Sequence, residues 1–467
     1  MNQIEDLEKK SIPKLLAAYS IPATVGLVVN SAYTMIDRAF VGNLPDNHGP
    51  LALAGVGVSM PITTFVIAIS ACIAMGSLAN VSAELGRKNV HKANQLLGNA
   101  ISISIVSGIV LTALFYLFKN QLFQLVGANA SIIGYTDKFL SVLMLGTVFS
   151  ILGFVIPILI RSNGSPLVAT LVMVSGAIIN ILLDWLFIFK LNMGIEGPAV
   201  ATIISQIFVT ILGLLYLFRP KALLKPNFND YRISKNNIIV IFSIGMVPMF
   251  NQLSVSVSQV IANWSLQQNG GNLFVSAMAS VASVVMIVTM IVSGISQGSM
   301  PIISFNFGRQ NMKRVRKTII TALVTCFIFL VVSTIVILLF SENIVSIFSQ
   351  NAQLVKISSQ GLRLYGFLIP LMTITTMLPG MLSLVGFPKI AAGINISKQL
   401  LIYTVFIVVL PLLLGNNGLW LSQPMTELVT TVISLYFAKR FLLNAIKDNG
   451  EELSYNEKLI KREGDIV

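Results

Sequence analysis

Long apolar segments dominate this chain and constrain its fold more than any single motif does. About 20 consecutive apolar residues are needed to cross a bilayer as an α-helix, and twelve stretches of the sequence meet that requirement. Only 10% of the 467 residues are charged, whereas soluble domains contain about 25%. We therefore predict an all-α integral membrane protein with twelve transmembrane helices. The predicted spans are residues 15–43, 53–80, 94–118, 134–159, 166–190, 197–218, 237–265, 273–303, 317–340, 357–384, 388–413 and 418–442.

The net charge of +13 would suit a nucleic-acid-binding protein, but the basic residues lie in short connections between the apolar segments. Such an excess on one side is typical of cytoplasmic loops. We predict that the protein lies in the cell (inner or plasma) membrane, that both termini are cytoplasmic, and that it does not bind nucleic acid. The residues assigned to the cytoplasmic side are Lys9, Lys10, Lys14, Arg87, Lys88, Lys92, Arg161, Arg219, Lys221, Lys225, Arg232, Lys235, Arg309, Lys313, Arg314, Arg316, Lys317, Lys389 and the tail beyond Lys439, against Lys119, Lys190 and Lys356 on the other side.

The two halves of the sequence share short motifs at a constant spacing. Gly-Arg at 86–87 recurs 222 positions later at 308–309, and Gly-x-Pro at 164–166 recurs at 386–388 with the same spacing. Because six spans return the chain to its starting side, we predict two parallel six-helix lobes. Transport sites commonly lie at the interface between such repeats. The predicted divisions are an N-terminal lobe at 1–225, a C-terminal lobe at 226–445 and a polar cytoplasmic tail at 446–467.

Two aspartates interrupt these apolar segments, Asp37 in the first span and Asp184 in the fifth. A charge at mid-bilayer costs about 2.5–3.5 kcal/mol on insertion scales, so an acid there is a candidate site for an ion, a proton or a cationic ligand. Tyr33 precedes Asp37 by four positions and Asn180 precedes Asp184 by four, so each pair shares a helical face. Thr202 lies about one turn into the sixth span, at a similar predicted depth.

Carboxylate, amide and hydroxyl oxygens of this kind could ligate Na⁺. The two carboxylates could instead share one proton, because neighbouring negative charges repel each other strongly in a low dielectric. The alternative is that each acid is isolated and satisfied locally at a helix end, which the adjacent Arg38 would fit. Pro22 could kink the first span where a gate bends, although proline is also ordinary in membrane helices.

The second half lacks such acids and carries a polar stripe in its seventh span. These side chains share one helical face and predict either a cavity lining for substrate or a contact with a partner helix. Met286 and Met290 could add adaptable apolar contacts for varied ligands. Glu427, in the twelfth span, could attract a cationic substrate or pair with Lys398, and the sequence leaves both readings open. The stripe consists of Gln252, Ser256, Gln259 and Asn263.

Several of these motifs resemble those of the multidrug and toxic compound extrusion (MATE) antiporters, most closely the prokaryotic DinF-like and MepA-like branch. The resemblance covers nearly the whole chain, and it departs from the family at Thr34, Phe139 and Trp185, where relatives often carry Asn, Tyr and Pro. The matching motifs are Ser20-Ile21-Pro22, Tyr33-x-x-x-Asp37-x-x-Phe40-Val41-Gly42, Asn180-Ile181-Leu182-Leu183-Asp184 and Gly197-Pro198-Ala199-Val200-Ala201-Thr202.

This resemblance implies two six-helix lobes around a central cavity and the exchange of H⁺ or Na⁺ for an outgoing drug, often an organic cation. It assigns the coupling cation to Asp37, Asn180, Asp184 and Thr202, with Tyr33 beside them. We expect a monomer in the bilayer that is not an enzyme and needs no cofactor besides the coupling ion. In the second half, Asn263 and Phe406 stand at the positions corresponding to Asp37 and Asp184, so coupling is predicted in the first lobe.

Two other functions would account for part of this sequence pattern. A flippase for lipid-linked saccharides belongs to the same superfamily, but its cavity should be strongly basic, whereas the ionisable residues within these spans are mixed in sign. An intramembrane aspartyl protease would also use two membrane aspartates, but neither Asp37 nor Asp184 lies in the motifs of those enzymes. No phosphate-binding loop of the Walker A type is present, so the sequence does not indicate ATP hydrolysis.

Overall fold

The computed structural model describes residues 7–44, 49–126, 132–219, 222–347 and 351–442, and within these ranges it is helical and contains no strand. The predicted polar tail at 446–467 lies outside the described residues. The helices of the described part are α1 Ile12–Gly42, α2 Gly49–Gly86, α3 Val90–Leu125, α4 Ile133–Leu145, α5 Thr147–Ser162, α6 Pro166–Trp185, α7 Glu196–Leu217, α8 Lys235–Gly308, α9 Met312–Ser346, α10 Ala352–Gly366, α11 Met372–Leu384, α12 Pro388–Ile396, α13 Thr404–Leu414 and α14 Asn416–Phe437.

These helices account for the twelve predicted spans. Among the described residues, nine helical segments are long and apolar enough to cross a membrane, and two bent helix pairs raise the number to eleven. The bent pairs are α4 with α5, at 57°, and α10 with α11, at 43°. The remaining predicted span is α14, whose 22 residues give a length of about 33 Å at 1.5 Å per residue. The predicted all-α membrane fold is therefore confirmed.

Spans seven and eight lie in one helical run, α8, which contains two membrane-length segments, Lys235–Gly270 and Ser276–Gly308. Its 74 residues would extend about 110 Å if straight, far more than a bilayer's thickness. Ile241 near its start and Phe305 near its end both contact the last third of α2, at Gly76 and Gly86 respectively. The run therefore reverses direction and returns to the face from which it began.

Backbone irregularities repeat at the spacing seen in the sequence. Lys88 and Gln310 both adopt positive φ, at 62° and 59°, although neither is glycine. Non-helical kinks occur at Phe118, with φ −113°, and at Phe340, with φ −114°. Each pair is 222 positions apart, so the two six-helix lobes repeat local backbone geometry as well as helix order.

Glycines bring the two lobes into direct backbone contact. A Cβ placed on Gly86 would lie 2.0 Å from the carbonyl oxygen of Phe305, and one on Gly308 would lie 2.0 Å from the carbonyl oxygen of Ala83. Because these two contacts exchange under the pseudo-symmetry, the approximate two-fold axis passes between them. We call this end of the bundle, where α2 meets α3 and α8 meets α9, the basic face.

The basic face also holds two segments that lead into the lobes, residues 7–10 before α1 and residues 227–234 before α8. Each lead-in segment is bound by the opposite lobe. Glu8 forms a two-pronged ion pair with Arg309, with oxygen–nitrogen distances of 2.7 and 2.8 Å. Arg314 donates to the carbonyl oxygens of Leu7 and Lys10, at 3.0 and 2.9 Å.

The second lead-in segment is held by α3 of the first lobe. The buried amide of Asn99 donates to the carbonyl oxygens of Asp230 and Arg232, at 2.8 and 3.1 Å, and accepts from the backbone N–H of Ser234 at 2.9 Å. Ser102 donates to the carbonyl of Tyr231. With these contacts the two lobes are closed against each other at the basic face.

One residue assigned to a basic loop lies elsewhere. Arg161 is in the last turn of α5 and only 1% exposed, and it donates to Gln297 of α8 at 3.0 Å. The prediction that it lies in a loop is therefore wrong. A charged residue near a span end suggests a loop by sequence, but here the opposite lobe covers it and supplies a polar partner.

Candidate functional site

The predicted acid site lies between α1 and α6, which pack side by side and run in the same direction. Thr170 on α6 donates to the carbonyl oxygen of Pro22 on α1 at 2.7 Å. One turn on, a Cβ on Gly26 would lie 3.4 Å from the sulfur of Met173. These contacts join positions 148 and 147 apart in the sequence. Asp37 and Asp184 are also 147 apart, which sets them level with each other along the two helices.

The two acids differ in how deeply they are buried. Asp184 is 0% exposed and Asn180 is 1% exposed, while Asp37 is half-buried. Asp37 lies close enough to Asp184 for its charge to act on that carboxyl group, and both act on the Tyr33 hydroxyl. The structure therefore brings Tyr33, Asp37 and Asp184 together, with Asn180 one turn before Asp184 on the same helix.

The polar atoms of this site are not satisfied by neighbouring protein groups. Within the described part of the chain, both carboxylate oxygens of Asp184, one of Asp37 and both amide atoms of Asn180 are buried without a hydrogen-bond partner. A buried unpaired polar atom costs about 1–3 kcal/mol, and more if it is charged. Asp37, Asn180 and Asp184 all carry oxygens that accept hydrogen bonds or ligate cations. A bound small cation or proton would remove the energetic cost of leaving these oxygens unpaired.

Thr202 and Pro22 differ in how they relate to this site. Thr202 lies on α7, which packs against α6, and is half-buried. Its carbonyl oxygen accepts from Ser205 at 2.8 Å. Pro22 lies four turns from Asp37 along α1, and its carbonyl oxygen is the acceptor for Thr170. Pro22 is thus hydrogen-bonded to α6 in this conformation. A bend of α1 at this point would have to break the hydrogen bond or move Thr170 of α6 together with it.

An aromatic pair closes the α1–α6 seam beyond the acids. The rings of Phe40 and Phe189 meet edge to face with centroids 5.6 Å apart. Phe40 is three residues beyond Asp37, and Phe189 belongs to a π-helical turn, Leu186–Lys190, that follows α6. The sequence did not predict this turn. The aromatic pair joins α1 to the π-helical turn one helical turn beyond the acids.

The departures from the family pattern do not add partners to the acids. Thr34 donates back to the carbonyl of Asn30 at 2.9 Å, Phe139 is buried, and Trp185 is exposed beneath the ammonium group of Lys190. Within the described residues, no group of three or more His, Cys, Asp or Glu side chains could hold a metal ion.

The predicted substrate residues of the second lobe vary in exposure. Gln252, Ser256 and Met290 are half-buried, while Gln259 and Met286 are exposed. The side chain of Asn263 lies outside the described residues. This polar stripe therefore remains a prediction.

Glu427 forms an ion pair with Lys398, and the two belong to a network that the sequence only partly indicated. The Lys398 ammonium lies 2.8 Å from Oε1 and 3.0 Å from Oε2 of Glu427, and it donates to Thr375 at 2.9 Å. Thr375 donates to Glu427 Oε2, and Gln423 donates to Oε1 at 2.8 Å. Thr375 and Gln423 carry no charge, so nothing in the sequence distinguished them from other polar residues of the spans.

Apolar helices that span a membrane, with ionisable groups turned inward and a two-fold repeat, define a polytopic membrane transporter. The family model MatE matches residues 22–186 and 248–409, most of both lobes. The chain belongs to the MatE family of MATE transporters.

The similar proteins agree with this assignment. The multidrug export protein MepA of Staphylococcus haemolyticus is 26% identical over 434 residues, covering 93% of this chain and 95% of that protein. A solved structure of a MATE protein in the straight conformation aligns with a TM-score of 0.89 and 21% identity, covering 95% of this chain and 99% of that one. A MOP superfamily transporter from Pyrococcus furiosus, described as having a binding pocket of reverse polarity, aligns with a TM-score of 0.88 and 22% identity, covering 95% and 98%.

Proposed function

We propose that this protein is a multidrug efflux antiporter that exports lipophilic, often cationic, small molecules in exchange for H⁺ or Na⁺. The observation that carries the proposal is the fully buried Asp184 beside Asp37: within the described residues, both carboxylate oxygens of Asp184 and one of Asp37 are buried without a hydrogen-bond partner. The name of the MepA relatives, multidrug export protein, supports drugs as the substrates.

The coupling site consists of Asp37, Asp184, Asn180, Thr202 and Tyr33. A bound cation or proton neutralises the acid pair, and this favours one conformer of the transporter, whereas a loaded drug cavity favours another. Antiport follows because a ligand shifts a conformational equilibrium only by its difference in affinity for the two states. The polar stripe of the seventh span, with Met286 and Met290, contributes to the drug cavity, and Pro22 acts in gating.

The basic face is cytoplasmic under this proposal, in agreement with the distribution of Lys and Arg. Both termini then lie in the cytoplasm of a cell whose plasma membrane holds the protein as a monomer. Because the lobes contact each other at the basic face, the conformation described is closed towards the cytoplasm. The lobes divide near residue 225, and the protein acts on drugs by moving them and not by chemical conversion.

The charge balance speaks against transport of an anionic lipid head. Lys398, a cation deep in the second lobe, is already paired with Glu427 and so is not available to a phosphate group. A hydrolytic role for the two aspartates has no motif to support it.

The test is fluorescent-dye efflux in everted membrane vesicles, energised in turn by a pH gradient and by an Na⁺ gradient. We expect Asp184→Asn to reduce gradient-driven efflux at least tenfold, because an amide of the same shape cannot exchange a proton or neutralise a cation. The matched control is Asp137→Asn, because Asp137 is an exposed acid that pairs with Lys119, and it should transport normally. Full efflux by Asp184→Asn would exclude the site, and the gradient that drives the wild type identifies the ion.

A further inference from the structure

The Lys398–Glu427 pair is buried at the middle of the second lobe, where the proposed coupling site makes no use of it. Glu427 is 1% exposed and Lys398 is 7% exposed. Glu427 lies eleven residues into α14, and Lys398 lies ten residues beyond the start of α12. At 1.5 Å per residue each is about 15 Å from its helix end, half the thickness of a hydrocarbon core.

The fold itself does not require charges at this place, as the first lobe demonstrates. Thr375 and Lys398 correspond at the 222-residue spacing to Gly153 and Gly176. The turn glycines Gly194 and Gly415, with φ of 59° and 57°, show that the spacing becomes 221 before the last helix of each lobe, which places Gln206 opposite Glu427.

The corresponding junction in the first lobe is uncharged and tightly packed. A Cβ on Gly153 would lie 2.8 Å from the terminal amide of Gln206, and one on Gly176 would lie 2.2 Å from the Val209 side chain. The same three-helix junction is thus built once with two glycines and an amide, and once with a hydroxyl and an ion pair. A buried ion pair often gives less stability than apolar side chains of the same volume, so packing alone does not account for it.

Glu427 is saturated in this conformation. Its two oxygens accept from Lys398, Thr375 and Gln423, which come from three separate helical elements. The carboxylate therefore cannot receive another cation unless Lys398 leaves it. Of these partners, Gln423 is half-buried, whereas Thr375 and Lys398 are buried.

Lys398 lies on a segment whose backbone departs from the α-helix. It is the second residue of a π-helical turn, Ser397–Tyr403, between α12 and α13. The hydroxyl of Ser258 on α8 donates to the Gln399 carbonyl in this turn at 2.9 Å. Single π-helical turns are found frequently at functional sites. Ser258 belongs to α8, so the turn that carries Lys398 is anchored to the helix that also carries the polar stripe.

We propose that Glu427 receives the positive charge of an organic-cation substrate and that Lys398 is its built-in competitor. In the empty state Lys398 occupies the carboxylate, and the substrate cation displaces it, so the number of charges in contact with Glu427 is unchanged. The displaced Lys398 ammonium extends on its flexible four-carbon side chain towards a more polar depth of the membrane, nearer to water. This assignment rests on the proposed export of cationic drugs and identifies the residues that select them.

Binding of tetraphenylphosphonium to the purified full-length protein tests this assignment through a double-mutant cycle. We expect Lys398→Met to bind the probe at least fivefold more tightly than the wild type, because the competitor is gone. We expect Glu427→Gln to bind it at least tenfold more weakly. The affinity of the double variant should be within threefold of that of Glu427→Gln. Removing the competing Lys398 ammonium has no effect once the Glu427 carboxylate is absent.

A purely structural ion pair predicts a different pattern. Each single variant would leave a buried unpaired charge and lose stability, while the double variant would regain wild-type affinity, and that result would overturn the proposal. If either single variant fails to fold, the double variant still decides, because a tenfold loss supports the assignment and wild-type affinity refutes it. Lys119→Met, which removes a half-buried ammonium paired with Asp137 in the first lobe, is the control for net charge.

The same experiment separates this inference from the proposed function. If the wild type does not bind tetraphenylphosphonium, both the export of such cations and the assignment of Glu427 as their receptor are refuted. If the wild type binds it and Asp184→Asn binds it without gradient-driven efflux, cation export stands, and the cycle reports on Lys398 and Glu427 alone.

Discussion

Replacing Gly86 by alanine should open the basic face without unfolding the protein. The added Cβ would lie 2.0 Å from the Phe305 carbonyl oxygen, whereas ordinary contact begins at 3.4 Å, so the two backbones must separate by about 1.4 Å. Overpacking of this kind costs about 1–3 kcal/mol. The clash is between lobes and exists only while they are closed, so we expect the closed population to fall roughly 5–150-fold relative to the open one.

The matched control is Gly57→Ala in the same helix, α2. No atom lies within 4 Å of a Cβ at Gly57, and the gain in helix propensity from Gly to Ala, about 1 kcal/mol, is common to both variants. Spin labels on Val90→Cys and Lys313→Cys, two exposed positions of the basic face, report the separation of the lobes as a distance distribution.

The pseudo-symmetry makes this prediction more specific. Gly308→Ala should have a similar effect, because its Cβ would lie 2.0 Å from the Ala83 carbonyl oxygen. The double variant should shift the equilibrium by less than the sum of the two single effects, since one separation of the lobes relieves both clashes. Equal distance distributions for Gly86→Ala and Gly57→Ala would refute the reasoning, and so would full additivity in the double variant.

Two contacts of the lead-in segments give further predictions. Asn99→Ala should lower the stability by about 1–3 kcal/mol, because it leaves the buried backbone groups at 230–234 without partners; thermal unfolding and proteolysis of this segment measure the loss, and an unchanged midpoint would contradict it. Glu8→Gln should favour opening of the basic face by less than about 1 kcal/mol, because its pair with Arg309 is partly exposed. The same spin labels should show this effect fading at high salt, and an effect independent of salt would exclude the electrostatic explanation.

The sequence predicted those features that depend only on a residue and its neighbours in the chain. A carboxylate in an apolar segment is costly wherever its neighbours lie, so Asp37 and Asp184 could be identified before any contact was known. The repeat could be found because both loops contain Gly-Arg, at 86–87 and at 308–309. The loops also share a turn, since the next residues, Lys88 and Gln310, both adopt a left-handed backbone.

The features that the sequence missed depend on which helices meet. Arg161 near a span end has the composition of a loop residue, and only the packing of α8 across it explains its burial. Lys398 and Glu427 are 29 positions apart, and the sequence left open whether they meet because their distance depends on how α14 is rotated. The π-helical turns Leu186–Lys190 and Ser397–Tyr403 were likewise not predicted from the sequence.

The lead-in segments also set a limit on the order in which this protein can be made. Residues 7–10 are synthesised well before their partners Arg309 and Arg314, which lie some 300 positions later in the sequence. This segment therefore cannot make its final contacts until the start of α9 has been synthesised. The second lead-in segment differs, because its partner Asn99 precedes it in the sequence and can bind it as soon as it is made.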